Sequence, residues 1–209
     1  MQIDQIKNLY INGESVPSIA KKFHCSPWVI YNLMKKHNIP RRKHSESNYI
    51  NFINKPLTYS LKKELDENEK ILKYAGLIIY WAEGSKKGKG TVDLANSDPE
   101  MIKIFITFLR RIYNVSELKI RVLLYCYSNQ NINKLIEYWS KIADIPRNQF
   151  SKPYVRKDFS NNQIGKMPYG LIHIRYSDTK LQTQIKNDIV SIKNNLLGYL
   201  SGQQGLTVK

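Results

Sequence analysis

The chain is poor in acid. Its 209 residues hold 17 Asp and Glu against 33 Lys and Arg, a formal net charge of +16 at pH 7. An excess of this size, spread along the chain, favours a polyanionic partner. Nucleic acid leads that class, because each phosphate neutralised by Lys or Arg releases counterions and so drives binding. Cysteine is scarce as well. Cys25 and Cys126 lie far apart with no CxxC spacing, which argues for reduced thiols and against a disulfide framework or a zinc site. The four histidines, His24, His37, His44 and His173, form no ligand-like pair. Long apolar runs are missing: MQIDQIKNLY has no signal core, and no stretch approaches membrane-spanning length. The expectation is an intracellular, cytoplasmic and DNA-associated protein with no membrane partner.

Apolar and aromatic residues are plentiful. Hydrophobic content is 42 % and there are fourteen tyrosines, a composition that folds and does not stay disordered. The length suits one medium domain and one small one.

Residues 1–40 read as a small all-α module of three helices. Ile3, Ile6 and Tyr10 share one face, and Asn12-Gly13 closes the first helix. Ser15 caps a second helix that turns Val16, Ile19, Ala20 and Phe23 inward. After the turn at His24-Cys25, Ser26-Pro27 starts a third helix buried through Val29, Ile30 and Leu33. This spacing is that of a helix-turn-helix, whose last helix enters the major groove. Its outer face carries Trp28, Tyr31, Asn32, Lys35 and Lys36. Asn32 suits an adenine edge and the lysines suit phosphates. The basic run that follows includes Arg41, Arg42 and Lys43, an arm able to track a backbone or enter a minor groove. The module resembles the resolvase or homeodomain-like helix-turn-helix family, and the resemblance implies readout of double-stranded DNA.

Residues 41–70 are polar and basic and read as a linker ending in a lead-in helix. An α+β domain is expected over 71–197, with a flexible tail at 198–209. It opens on ILKYAGLIIYWAEG, a helix apolar on nearly every side and therefore expected to be buried on most faces. TVDLAN reads as a strand, and Ser97 with Glu100 reads as a capping box for the next helix. LKIRVLLYCY alternates, with Leu118, Ile120, Val122, Leu124 and Cys126 on one face. YGLIHIRYS repeats the alternation. Amphipathic helices follow each of these strands; the last uses Leu181, Ile185, Ile189, Ile192 and Leu196. The sheet is expected to be antiparallel, backed by helices, with Lys119, Arg121, Tyr125, His173 and Arg175 on its open face.

The stretch GLIIYWAEGS carries a second resemblance. A buried helix ending in an acid and a glycine, followed by a sheet, is similar to the LAGLIDADG homing-endonuclease family, with a single motif here. Leu77, Ile78, Ile79 and Ala82 fill the helix body, and Glu83-Gly84 match the terminal pair. The resemblance implies a homodimer that packs two such helices together and straddles duplex DNA. It also implies catalysis by Glu83, with Mg²⁺ held at Glu83-Gly84 and phosphate met by Lys86, Lys87, Lys89 or Lys119. Such ions neutralise charge on a phosphodiester and lower the pKa of an attacking water. The bulky Tyr80 and Trp81 depart from the small residues that a close helix pair prefers. They favour the alternative, a non-catalytic transcription regulator that keeps a degenerate LAGLIDADG-like fold as a DNA-binding platform.

Overall fold

The computed structural model describes residues 3–86, 88, 90–156 and 167–202. The chain divides into two units after Pro56. The architecture is mixed α and β: eight α-helices and one four-stranded sheet among the described residues.

The first unit holds α1 (Ile3–Ile11), α2 (Val16–Lys22), α3 (Pro27–Lys36) and α4 (His44–Asn54). Ser15 caps α2 by accepting the Ser18 amide at 3.2 Å. Between α2 and α3, His24 adopts a left-handed φ of 51°, and the Cys25 amide reaches back to the Ala20 carbonyl at 2.9 Å. This is the closure that ends a helix and satisfies its last carbonyls. Ile6, Val16, Ile19, Ala20, Ile30 and Met34 form the small core. Met34 therefore occupies the buried side of α3, where Val29 and Leu33 are only partly covered. The segment read as linker contains α4. Its first turn is held by the Glu46 carboxylate accepting the Lys43 amide at 3.0 Å.

The second unit runs α5 (Glu67–Glu83), β1 (Val92–Asn96), α6 (Pro99–Tyr113), β2 (Ile120–Tyr127), α7 (Ile132–Ala143), β3 (Tyr154–Arg156), β4 (Leu171–Tyr176) and α8 (Thr179–Leu200). Strand order is β1-β4-β2-β3. β4 pairs antiparallel with both β1 and β2. The sheet is nonetheless mixed: β3 lies parallel to β2, with Tyr125 opposite Tyr154. The expected all-antiparallel sheet is corrected here, because α7 carries the chain back over the sheet before β3 starts, as a parallel crossover requires. The inward residues of β1, β2 and β4 meet Leu77, Phe105, Phe108, Leu109, Trp139 and Leu181 in one core.

Several local expectations change. α6 is capped by Asp98, whose carboxylate accepts the amides of Glu100 and Met101, and not by Ser97. Residues Glu117–Lys119 form a 3₁₀ turn before β2, which leaves Leu118 82 % exposed. Leu196 is likewise exposed, since α8 buries only its first turns through Leu181, Gln182 and Ile185. α5 buries one side, through Gly76, Leu77 and Tyr80, and exposes Ile71, Tyr74, Ile78 and Trp81 on the other. It is not enclosed on most faces.

Gly76 explains how α5 seats. A methyl group there would fall 2.2 Å from Phe108 Cγ of α6, so only glycine permits this approach of the two helices. Cys126 sits in the core, where burial pushes its thiol up and away from reactivity.

Candidate nucleic-acid interface

In the first unit the candidate surface is the outer side of α3. Ile30 and Met34 point into the core, and the opposite positions, Trp28, Asn32, Lys35 and Lys36, are all exposed. Their spacing of three to four residues puts them on one helical face. Trp28 stands 70 % exposed in the first turn. Tyr31 is half-buried and serves as a seat, with the Arg41 guanidinium 4.4 Å from its ring centroid. Arg41 is thereby held against α3.

Its neighbour Arg42 has a different place. The guanidinium lies 3.9 Å over the Tyr10 ring and donates to the carbonyls of Tyr10 at 2.5 Å and Glu14 at 2.6 Å. Its amide donates to the Tyr10 hydroxyl at 2.9 Å. Arg42 thus satisfies the Tyr10 carbonyl at the C-terminal end of α1 and the Glu14 carbonyl in the turn that follows, and Lys43 remains exposed at the start of α4.

In the second unit the candidate surface is the open face of the sheet. The register places Arg175 between Asp93 and Arg121, and His173 between Ala95 and Leu123. Tyr125 stands between Leu171 and Tyr154. Four of the expected residues, Arg121, Tyr125, His173 and Arg175, do share this face. Arg121 is partly engaged by its own chain, donating to the carbonyls of Leu118 and Ile120 at 2.7 Å each.

Lys119 is not among them. Its position in the 3₁₀ turn sends its ammonium 3.0 Å from Thr58 Oγ1, 3.6 Å from Asp178 Oδ2 and 4.8 Å from the Tyr176 ring centroid. It closes the end of the sheet against the segment before α5.

Two residues of the open face escape a reading by charge and motif. Asp93 lies between Val92 and Leu94, so strand alternation alone marks it as outward. It accepts from Arg175 Nε at 3.0 Å, and His173 Nδ1 lies 2.8 Å from its other oxygen. Partial burial works to raise this carboxyl. The hydrogen bond and charge of His173, with those of Arg175, outweigh burial and hold it below the ordinary carboxylate value. An ionised Asp93 can only accept, so Nδ1 carries the proton in that pair and Nε2 faces away from it. Tyr154 belongs to a three-residue strand too short to show alternation in the sequence.

Glu83 ends α5 with its carboxylate exposed, and Lys86 is exposed three residues on. Lys87 and Lys89 lie outside the described residues. The glycine after Glu83 has a steric reason. Gly84 is buried, and a methyl group there would fall 2.3 Å from the Tyr80 carbonyl. From that point the chain joins the sheet edge: Gly84 bridges Leu94, and the Ser85 amide donates to the Asp93 carbonyl at 2.8 Å. Glu83 thus stands where the helix layer meets β1.

Comparison with family models, with curated proteins and with solved structures finds no match to the chain. No described helix is long and apolar enough to cross a membrane.

A Mg²⁺ ion takes oxygen ligands in a near-octahedral shell and keeps several waters, so it asks little of a protein beyond one or two carboxylates. Among the described residues no group of three His, Cys, Asp or Glu side chains is placed to hold a metal ion. Asp93 is already committed to His173 and Arg175. Glu83 alone does not make a site for the ion within one chain.

Proposed function

We propose that the protein is a sequence-specific double-stranded DNA-binding protein that acts as a homodimer. The observation that carries this reading is the outer face of α3, where Trp28, Asn32, Lys35 and Lys36 stand exposed together and the ring of Tyr31 holds Arg41 beside them. An amide side chain flanked by cations suits base readout in a major groove with phosphate contacts on either side. The cationic and aromatic sheet face gives the second unit its own surface for the polyanion. Dimerisation is supported by the stripe Ile71, Tyr74, Ile78 and Trp81 along α5, since a run of large apolar side chains at helical spacing marks a contact surface.

The resemblance to LAGLIDADG homing endonucleases extends the proposal to phosphodiester hydrolysis with Mg²⁺, using Glu83 from both subunits. Two Glu83 carboxylates brought to the dimer axis would offer the ion what a single chain does not. The alternative of a non-catalytic regulator draws on one specific observation. Gly76, the one glycine of α5, faces Phe108 inside the chain, and Ile71, Tyr74, Ile78 and Trp81 stand exposed on the other side, together with Ala82. Bulk in that stripe holds two α5 helices, and their Glu83 ends, further apart.

Selection from a randomised duplex library tests the binding claim. Enrichment of a defined motif by the wild type, lost in Asn32→Ala with Lys35→Ala, is the expected result. Incubation of the enriched duplex with Mg²⁺ then separates the two readings: strand scission that Glu83→Gln abolishes supports the endonuclease, and intact duplex bound equally by both supports the regulator.

A further inference from the structure

One chain of contacts crosses the whole sheet, with one residue from each strand. Asp93 of β1 holds His173 of β4 at 2.8 Å. The His173 ring lies against Tyr125 of β2, with centroids 4.9 Å apart and planes 35° apart. Tyr125 in turn lies against Tyr154 of β3, again at 4.9 Å and 38°. These are tilted ring pairs at separations where aromatic rings attract. Each ring fixes the next, and the first is anchored by a charge-assisted hydrogen bond, so the pile is pre-organised.

The pile ends at an open position. Among the described residues β3 is the edge strand of the sheet. Tyr154 is 55 % exposed, and its ring partner among the described residues is Tyr125. Away from Tyr125 the ring meets no further ring among the described residues. A flat apolar group placed there would continue the stack at ring spacing.

We infer that Tyr154 is a stacking site for an unpaired nucleobase of a single-stranded nucleic acid. Two features select this ligand. A nucleobase is the common flat group that belongs to a polyanion, and the chain carries a net charge of +16. Bases inside a duplex are stacked on their neighbours and cannot offer a face to a ring at a sheet edge, whereas unpaired bases can. The inference is separate from duplex readout by α3 and stands or falls without it.

The test is fluorescence anisotropy on the full chain with three probes: a short labelled oligothymidylate, the matching oligouridylate, and a duplex of similar length. Tyr154→Ala is expected to weaken the single strands by about 5- to 100-fold, the range of one lost base–aromatic stack. Duplex affinity should fall by clearly less than single-strand affinity, because bases paired in a duplex offer no face to this ring. Tyr154→Phe keeps the ring and should bind single strands within about twofold of wild type. Circular dichroism should show all variants folded, as expected for a side chain this exposed. Binding of either single strand with this pattern of losses supports the inference. Wild-type binding to neither single strand overturns the inference. So does a Tyr154→Ala that binds them like wild type, or a Tyr154→Phe that loses as much as the alanine variant.

Discussion

His173 Nδ1 and Asp93 Oδ1 lie 2.8 Å apart on the open face of the sheet, and Arg175 shares the same carboxylate. Asp93 therefore has a folded-state pKa below the ordinary carboxylate value, despite the opposing pull of its burial. Its contribution to stability is complete above the unfolded value of about 4 and is lost as pH falls through the lower folded value. Asp178 behaves in the same sense. Burial works to raise it, and the Thr58 hydroxyl, the Leu181 amide and Lys119 together bring it down. Thermal denaturation followed from pH 6 into the acid range should show a falling midpoint, and Asp93→Asn should make that fall shallower. An unchanged slope in the variant would contradict the role given to Asp93.

Gly76→Ala tests the seating of α5 on α6. Because the new methyl would sit 2.2 Å from Phe108 Cγ, overpacking should cost about 1–3 kcal/mol. The cost should appear as a lower urea midpoint with little change in slope. The same change at a solvated helix position would be neutral or stabilising, so the sign alone is informative.

Arg42 and Lys43 are neighbours with different fates, and substitution should separate them. Arg42→Lys removes a planar fork that stacks on Tyr10 while serving two carbonyls. A lysine cannot reproduce that geometry. The variant should lose about 1–3 kcal/mol of protection at the amides of α1 in hydrogen exchange. Lys43→Ala should change protection by less than about 0.5 kcal/mol.

These cases show which parts of the molecule were legible in the sequence. Periodicity places α1, α2 and α3 and the inward faces of β2 and β4, because burial on one face writes a repeat of 3.6 or 2 into the chain, whereas α4 buries no residue and shows no such repeat. The open-face residues Arg121, Tyr125, His173 and Arg175 followed from the same alternation. Lys119 did not, because a 3₁₀ turn breaks the strand phase one residue before Ile120. β3 was hidden because three residues cannot display a period, and its parallel pairing depends on a crossover made elsewhere. The exposure of α5 on one side was masked by composition: Tyr74, Ile78 and Trp81 are as apolar as the residues that it buries. Arg42 read as one more cation of a basic arm, since nothing local distinguishes a guanidinium that caps α1 from one that meets phosphate.

The exposed stripe on α5 yields a prediction about assembly. Ile78→Glu places a charge at its middle, where the wild-type side chain is 48 % exposed. Sedimentation at micromolar concentration should show a dimer for the wild type and a monomer for the variant, with the thermal midpoint of the diluted monomers alike. A wild type that stays monomeric at every concentration would contradict the assignment of this stripe.

Duplex-DNA binding through α3 is tested most directly by the salt dependence of affinity for a selected duplex. A plot of log K against log salt should be steep and linear, with a slope of roughly −0.9 for each phosphate contacted. Lys35→Ala with Lys36→Ala should reduce its magnitude by about 1–2. An affinity that stays flat with salt, or a slope unchanged by removing both lysines, would contradict the account.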